Sequence, residues 1–185
     1  MGQVDQVVRG APGSHVNLGA MNTNPTLPPS PDEKNVADPT LAVVTNVYHM
    51  DIDLVWNALV DPKLVAQYMM GAKLTTDWKE GSGITWEGTW NGKPFHACGK
   101  VLQVREPDLL QYTHINTTAQ GPPEKHTITI ELRHAAGATH LRLTQDNNAS
   151  AEAARQSEET WAKMLDTMKR ALGEAPVKKP EVPRT

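Results

Sequence analysis

The sequence predicts an α+β fold: a curved seven-stranded antiparallel sheet wrapped around one long C-terminal helix, with two short helices between strands 1 and 2. Three observations carry this. First, Ala154, Ser157, Trp161, Met164, Leu165, Met168 and Leu172 fall within an arc of roughly 100° on a helical wheel, while Arg155, Glu158, Glu159, Asp166, Lys169 and Arg170 lie off it. Ser150 can cap the start of this helix and Gly173 can end it, so at 1.5 Å per residue it would run about 33 Å. Second, the strands before it are consecutive and joined by hairpin chemistry rather than by crossover helices, which separates this class from α/β. Third, a strand such as His126 to His134 spans roughly 30 Å. The helix is therefore long enough to lie across the whole sheet, and any ligand is expected between the two.

The elements follow in order. Residues 1–40 are rich in Gly, Pro, Asn and Ser, with a PTLPPSP run and no apolar period, so they cannot bury enough surface to offset ordering entropy and are expected to form a disordered tail. Order begins at Leu41, where LAVVTNVYHM is β-branched and apolar enough for a first strand. Asp51 is placed as an N-cap before Ile52, Val55, Trp56 and Leu59 at helical spacing. Asp61-Pro62 ends that helix and starts another, whose buried side is Leu64, Val65, Tyr68 and Met69 and whose end is Gly71. Lys73 to Trp78 reads as a strand, followed by the turn Glu80-Gly81-Ser82-Gly83 and by Ile84, Trp86, Gly88 and Trp90 alternating with polar residues. Asn91-Gly92 is a hairpin signal, since both residues tolerate positive φ. In the next strand, Pro94 to Val104, Gly99 is expected to mark a bulge or bend. Past the Glu106-Pro107-Asp108 turn, Leu110, Tyr112 and His114 share a face. If that turn sets the register, His114 pairs near Val101 rather than beside Cys98. Ile128, Ile130 and Leu132 point inward from the next strand, Gly137 turns it, and Thr139, Leu141, Leu143 and Gln145 form the last. The ordered domain is thus expected over 41–173, with residues 174–185 a second tail.

Charge and composition narrow the function classes. With 18 Lys and Arg against 21 Asp and Glu, and a formal charge of −3, nothing favours nucleic acid or an anionic membrane as partner. A single cysteine, Cys98, excludes an intrachain disulfide and suits a reducing compartment. No run of 18 apolar residues exists to span a membrane, and the N-terminus has no secretory h-region. A cytoplasmic protein, monomer or dimer, is the expectation.

Candidate site residues come from the inward faces. Trp86, Tyr112 and Trp161 could line a cavity, with Trp90 and Phe95 weaker candidates near a hairpin tip, because aromatic side chains combine large apolar area with a polar tip. Met69, Met164 and Met168 could supply an adaptable wall. Tyr68, Ile128, Ile130, Leu141, Leu143 and Leu165 complete the expected lining, and the same residues could equally fill a core. His114 and His126 fall on the inward alternation, where each could offer a polar contact or a proton, with structural hydrogen bonding as the plainer role. No metal or cofactor is expected: His96 and Cys98 share a strand face but lack further ligands. The sequence leans against an enzyme, since it holds no G-x-S-x-G elbow, phosphate loop or H-E-x-x-H.

Several stretches resemble a known family. They are Val60-Asp61-Pro62, Asp77-Trp78 with Gly81, Trp86-Glu87-Gly88 with Trp90-Asn91-Gly92, Gly99-Lys100-Val101 with Leu110, Tyr112 and Thr113, Leu143-Thr144-Gln145-Asp146-Asn147, and Trp161 with Met164-Leu165. Together they resemble the START-like (SRPBCC) superfamily in its activator of heat-shock-protein-90 ATPase homologue-like branch. The resemblance implies the helix-grip fold, with a mostly apolar cavity between sheet and helix. It implies binding of a small hydrophobic molecule by a carrier or sensor, which could serve in stress. Two alternatives stay open: an enzyme of cyclase or hydrolase type with His114 or His126 as acid or base, and a module that contacts a chaperone.

Overall fold

The computed structural model describes residues 38–90, 92–117 and 123–173, apart from the side chain of Trp90. The expected tails, except for residues 38–40, lie outside these, as do Asn91 of the hairpin turn and the Trp90 side chain proposed as cavity lining. The element order is β1 (Ala42–Tyr48), α1 (Ile52–Val60), α2 (Pro62–Tyr68), β2 (Lys73–Thr75), β3 (Gly83–Trp90), β4 (Lys93–Arg105), β5 (Leu109–Asn116), β6 (Lys125–Ala135), β7 (Ala138–Gln145) and α3 (Ala151–Ala171). All seven strands form one antiparallel sheet in the order β1-β7-β6-β5-β4-β3-β2. Neighbouring strands from β2 to β7 are consecutive in the chain, as hairpin chemistry requires. β1 closes the far edge beside β7, where Val44 pairs with Leu143 and Tyr48 with Thr139.

Period-two alternation puts one face of this sheet inside. Ile128, Ile130, Leu132, Leu141 and Leu143 are all buried, and opposite them α3 buries Ala154, Leu165 and Met168. Fully burying a Leu or Met side chain contributes about 1.5–3 kcal/mol. The helix is started by Ser150, whose hydroxyl accepts from the Ala153 N–H at 3.1 Å, and Gly173 follows its end with φ +86°. α3 also covers the exposed edge of β1. Glu158 Oε1 accepts from the Val43 N–H (2.9 Å), Lys169 Nζ donates to the Val47 carbonyl (2.5 Å), and Tyr48 Oη donates to the Leu165 carbonyl (3.2 Å). The first two occupy backbone groups that an edge strand otherwise offers to another chain.

Several local expectations are corrected by tertiary contacts. β2 ends at Thr75, not Trp78, because Trp78 takes φ +57° and its indole Nε1–H donates to the Val60 carbonyl at 2.9 Å. Asp51 precedes α1, but its side chain makes no capping bond; Asp61 caps α2 through the Lys63 N–H at 2.7 Å. Gly99 does sit where the β4–β5 ladder is interrupted: a Cβ there would lie 1.7 Å from the Thr113 carbonyl oxygen. A further register shift between Val101 and Gln103 puts Tyr112 opposite Val101 and Ile115 opposite Cys98, so His114 is not the residue facing Val101. Counting from the Pro107 turn misses that one-residue slip.

Candidate functional site

The space between sheet and helix differs at its two ends. Beneath the second half of α3 the interior is nearly filled: Tyr68, Leu74, Leu110, Ile130, Leu143 and Leu165 surround about 20 Å³, room for roughly one water. Beside the first half lies an open cleft of about 340 Å³. The apolar wall of this cleft is Met69, Trp86, Tyr112, Trp161 and Met164. Trp86 on β3 reaches across β4 to two rings of β5, with ring centroids 5.2 Å from Tyr112 and 5.3 Å from His114, both tilted.

The alternation of β5 and β6 brings His114 and His126 directly opposite one another, and both line the cleft. His126 Nδ1 lies 2.8 Å from the Asp146 carbonyl, which can only accept, so Nδ1 carries the proton and Nε2 is left as an acceptor when the ring is neutral. Nε2 lies 3.7 Å from the Glu124 carboxylate. His114 makes no hydrogen bond among the described residues. Burial, with His126 adding to it, lowers its imidazole to about 4, so it is neutral at pH 7. Burial likewise pushes the Tyr112 hydroxyl well above its ordinary value.

Next to Asp146, a hydrogen-bond network joins the end of β7 to α3. Gln145 Oε1 accepts from Trp161 Nε1 at 2.8 Å, and its amide donates to Asn148 Oδ1 and Ser157 Oγ, each at 2.9 Å. Asn148 donates to the carbonyls of Thr40 (2.7 Å) and Gln145 (3.0 Å), and Ser157 donates to Asn148 Oδ1 at 2.8 Å. With both amide hydrogens of each side chain bonded, burial of Gln145 and Asn148 is offset. The network also fixes the Trp161 indole as one wall of the cleft.

The residues expected from the sequence therefore divide. Met69, Trp86, Tyr112, His114, His126, Trp161 and Met164 meet at the cleft, and Met69, Trp86, Tyr112 and Trp161 also border the small space next to it. Tyr68, Ile130, Leu143 and Leu165 face the filled end, and Ile128, Leu141 and Met168 are buried in the core that supports both. Phe95 packs against that core and lines neither space. Glu124, Gln145, Asn148 and Ser157 were not foreseen. Two left a trace: Gln145 continues the inward phase of Leu141 and Leu143, and Ser157 sits on the apolar stripe of α3, so each is a polar residue in an apolar position. Among the described residues no three His, Cys, Asp or Glu side chains are grouped to hold a metal, and no helix is long and apolar enough to cross a membrane.

A seven-stranded antiparallel sheet with two short helices after its first strand and a long C-terminal helix across one face defines the helix-grip class. The family model for activator of Hsp90 ATPase homolog 1-like protein matches residues 49–173, and the chain belongs to that family. No curated protein matches it. The solution structure of ChR145 from Cytophaga hutchinsonii is 38% identical, covers 71% of this chain and 92% of its own, and superposes with a TM-score of 0.64. CalU16 from Micromonospora echinospora shares the fold at 19% identity, over 71% of this chain and 74% of that one, with a TM-score of 0.56. So does PFC0360w, an HSP90 activator from Plasmodium falciparum, at 16% identity, 72% and 96% coverage and a TM-score of 0.58.

Proposed function

We propose that this protein binds a small hydrophobic ligand in the cleft between the sheet and the first half of α3, as a carrier or sensor and not as an enzyme. The observation that carries the proposal is an open cleft of about 340 Å³ walled by Trp86, Tyr112, Trp161 and Met164, beside a space of only about 20 Å³ farther under the helix. That volume lies at the small end of the range for ligand sites, which favours a ligand of one or two rings over a long acyl chain. The test is native mass spectrometry with thermal shift against naphthalene and indole derivatives and fatty acids. A true ligand at 100 times its Kd adds about 2.7 kcal/mol of stability. No retained mass and no shift with any of them would remove the proposal.

An enzymatic alternative is favoured by one specific feature, a neutral His114 free of hydrogen bonds among the described residues and facing His126 across a ladder. Either ring could then move a proton on a bound substrate. If H114A and H126A both keep full turnover of an identified substrate, that alternative fails. Contact with a chaperone has support from the family's description and from the HSP90-activator neighbour, and a pull-down that recovers no chaperone would argue against it.

A further inference from the structure

The polar groups around the cleft are unequal in charge and in hydrogen-bonding sense. Among the described residues that line it, Glu124 is the only Asp, Glu, Lys or Arg. Glu124 stands at the rim with its side chain 55% exposed, 3.7 Å from His126 Nε2. Because His126 Nδ1 faces the Asp146 carbonyl, its ring, when neutral, carries the proton there and offers Nε2 as an acceptor beside that carboxylate. At the end of β7 the amide donors of Gln145 and Asn148, the Ser157 hydroxyl and the Trp161 indole N–H are all bonded within the protein. The Trp86 indole, the Tyr112 hydroxyl, the single N–H of His114 and the Gln156 amide remain, and all are neutral at pH 7. The start of α3 does not reverse this balance, since Ser150 already takes the Ala153 N–H and Glu152 stands in the first turn. An anionic ligand would find a carboxylate and no Lys or Arg to answer it. A cation would find a carboxylate, an imidazole lone pair and aromatic faces, whose quadrupole attracts positive charge.

Granted the binding role proposed above, we propose that the cleft selects an aromatic or apolar body carrying a protonated primary amine, with the ammonium at Glu124 and the body against Trp86, Tyr112 and Trp161. Selection is by charge as well as by shape: an ammonium is preferred to a hydroxyl of the same size, and a hydroxyl to a carboxylate.

The experiment compares three matched probes, 2-(2-naphthyl)ethylamine, 2-(2-naphthyl)ethanol and 2-naphthylacetate, by isothermal titration calorimetry at pH 7. The indole N–H signals of the five tryptophans are followed by NMR to place each probe. The amine is expected to bind about tenfold more tightly than the alcohol, a difference of about 1.4 kcal/mol, with the acetate weakest. Glu124→Gln, a change at an exposed side chain, is expected to bring the amine-to-alcohol ratio close to one. Equal binding of all three, tighter binding of the acetate, or an amine preference that survives Glu124→Gln would overturn the charge selection and leave the hydrophobic site standing. Binding of none of the three, with the tryptophan signals unmoved, would overturn both.

Discussion

Around Leu165 and Met168, both under 2% exposed, α3 closes on the sheet and leaves space for about one water. One or two turns earlier, around Ser157 and Trp161, the same helix stands beside a cleft of about 340 Å³. The apolar stripe runs through both halves, so periodicity alone does not distinguish them. What differs is the side chain that fills each position and its partner on the sheet. Leu165 lies where Tyr48 and Leu143 come up to meet it, whereas Ser157 and Trp161 are drawn into hydrogen bonds with Gln145 and Asn148. The filled half secures the helix and the hydrogen-bonded half positions a wall. Stability and binding are therefore expected to respond to different substitutions on one helix.

The largest expected effect lies on the strand that carries His114 and its neighbour. Gly99→Ala would set a Cβ 1.7 Å from the Thr113 carbonyl oxygen and 2.6 Å from its carbon, both backbone atoms that can move only if β4 and β5 separate. A loss of about 4 kcal/mol or more is expected, enough to unfold a marginal domain, read as loss of the cooperative thermal transition. Near-native melting would show that the close approach is not structural. Next, Leu165→Ala should cost about 2–5 kcal/mol by leaving a cavity in the filled half. Chemical denaturation would show that cost, and a new site for a small apolar probe such as benzene could appear there.

A third, smaller effect concerns pH. The native His114 imidazole is lowered to about 4, below its ordinary 6.5, so between those values the unfolded chain binds the proton first. The stability this group contributes is present above pH 6.5 and is lost as pH falls toward 4, by roughly 2–3 kcal/mol. In H114F that part of the acid sensitivity should vanish, seen as a flatter Tm profile between pH 6.5 and 4; parallel profiles would show that His114 titrates normally. The smallest effect is expected from Trp161→Phe, which removes one hydrogen bond to Gln145 at about 1 kcal/mol. Ligand affinity should fall by more than stability does. If Tm drops as far as in Leu165→Ala while binding is unchanged, the division of α3 into a securing half and a binding half is wrong.

Local chemistry made much of the fold legible. Asp61-Pro62 fixed the start of α2, the alternation Ile128, Ile130, Leu132 fixed the inner face of β6, and Ser150 and Gly173 bracketed α3 to within a residue or two. The site was legible only in part. Trp86, Tyr112, His114, His126 and Trp161 were foreseen because each occupies an inward phase, whereas Glu124 lies before the first residue of β6, where alternation says nothing. Asn148 follows the last strand in the same way, and its role depends on meeting Gln145, Ser157 and the Thr40 carbonyl, which lies 108 positions away in the chain.

By itself, then, the sequence determined element type, order and facing, because turns, caps and hydrophobic periods act between residues close in the chain, and its resemblance to a known family implied the helix-grip class. Only the tertiary structure decided how much of the space between sheet and helix is filled and what charge rims the remainder. Volume and electrostatic balance are set where side chains from separate elements meet, and a slip such as the one between Val101 and Gln103 changes which of them do.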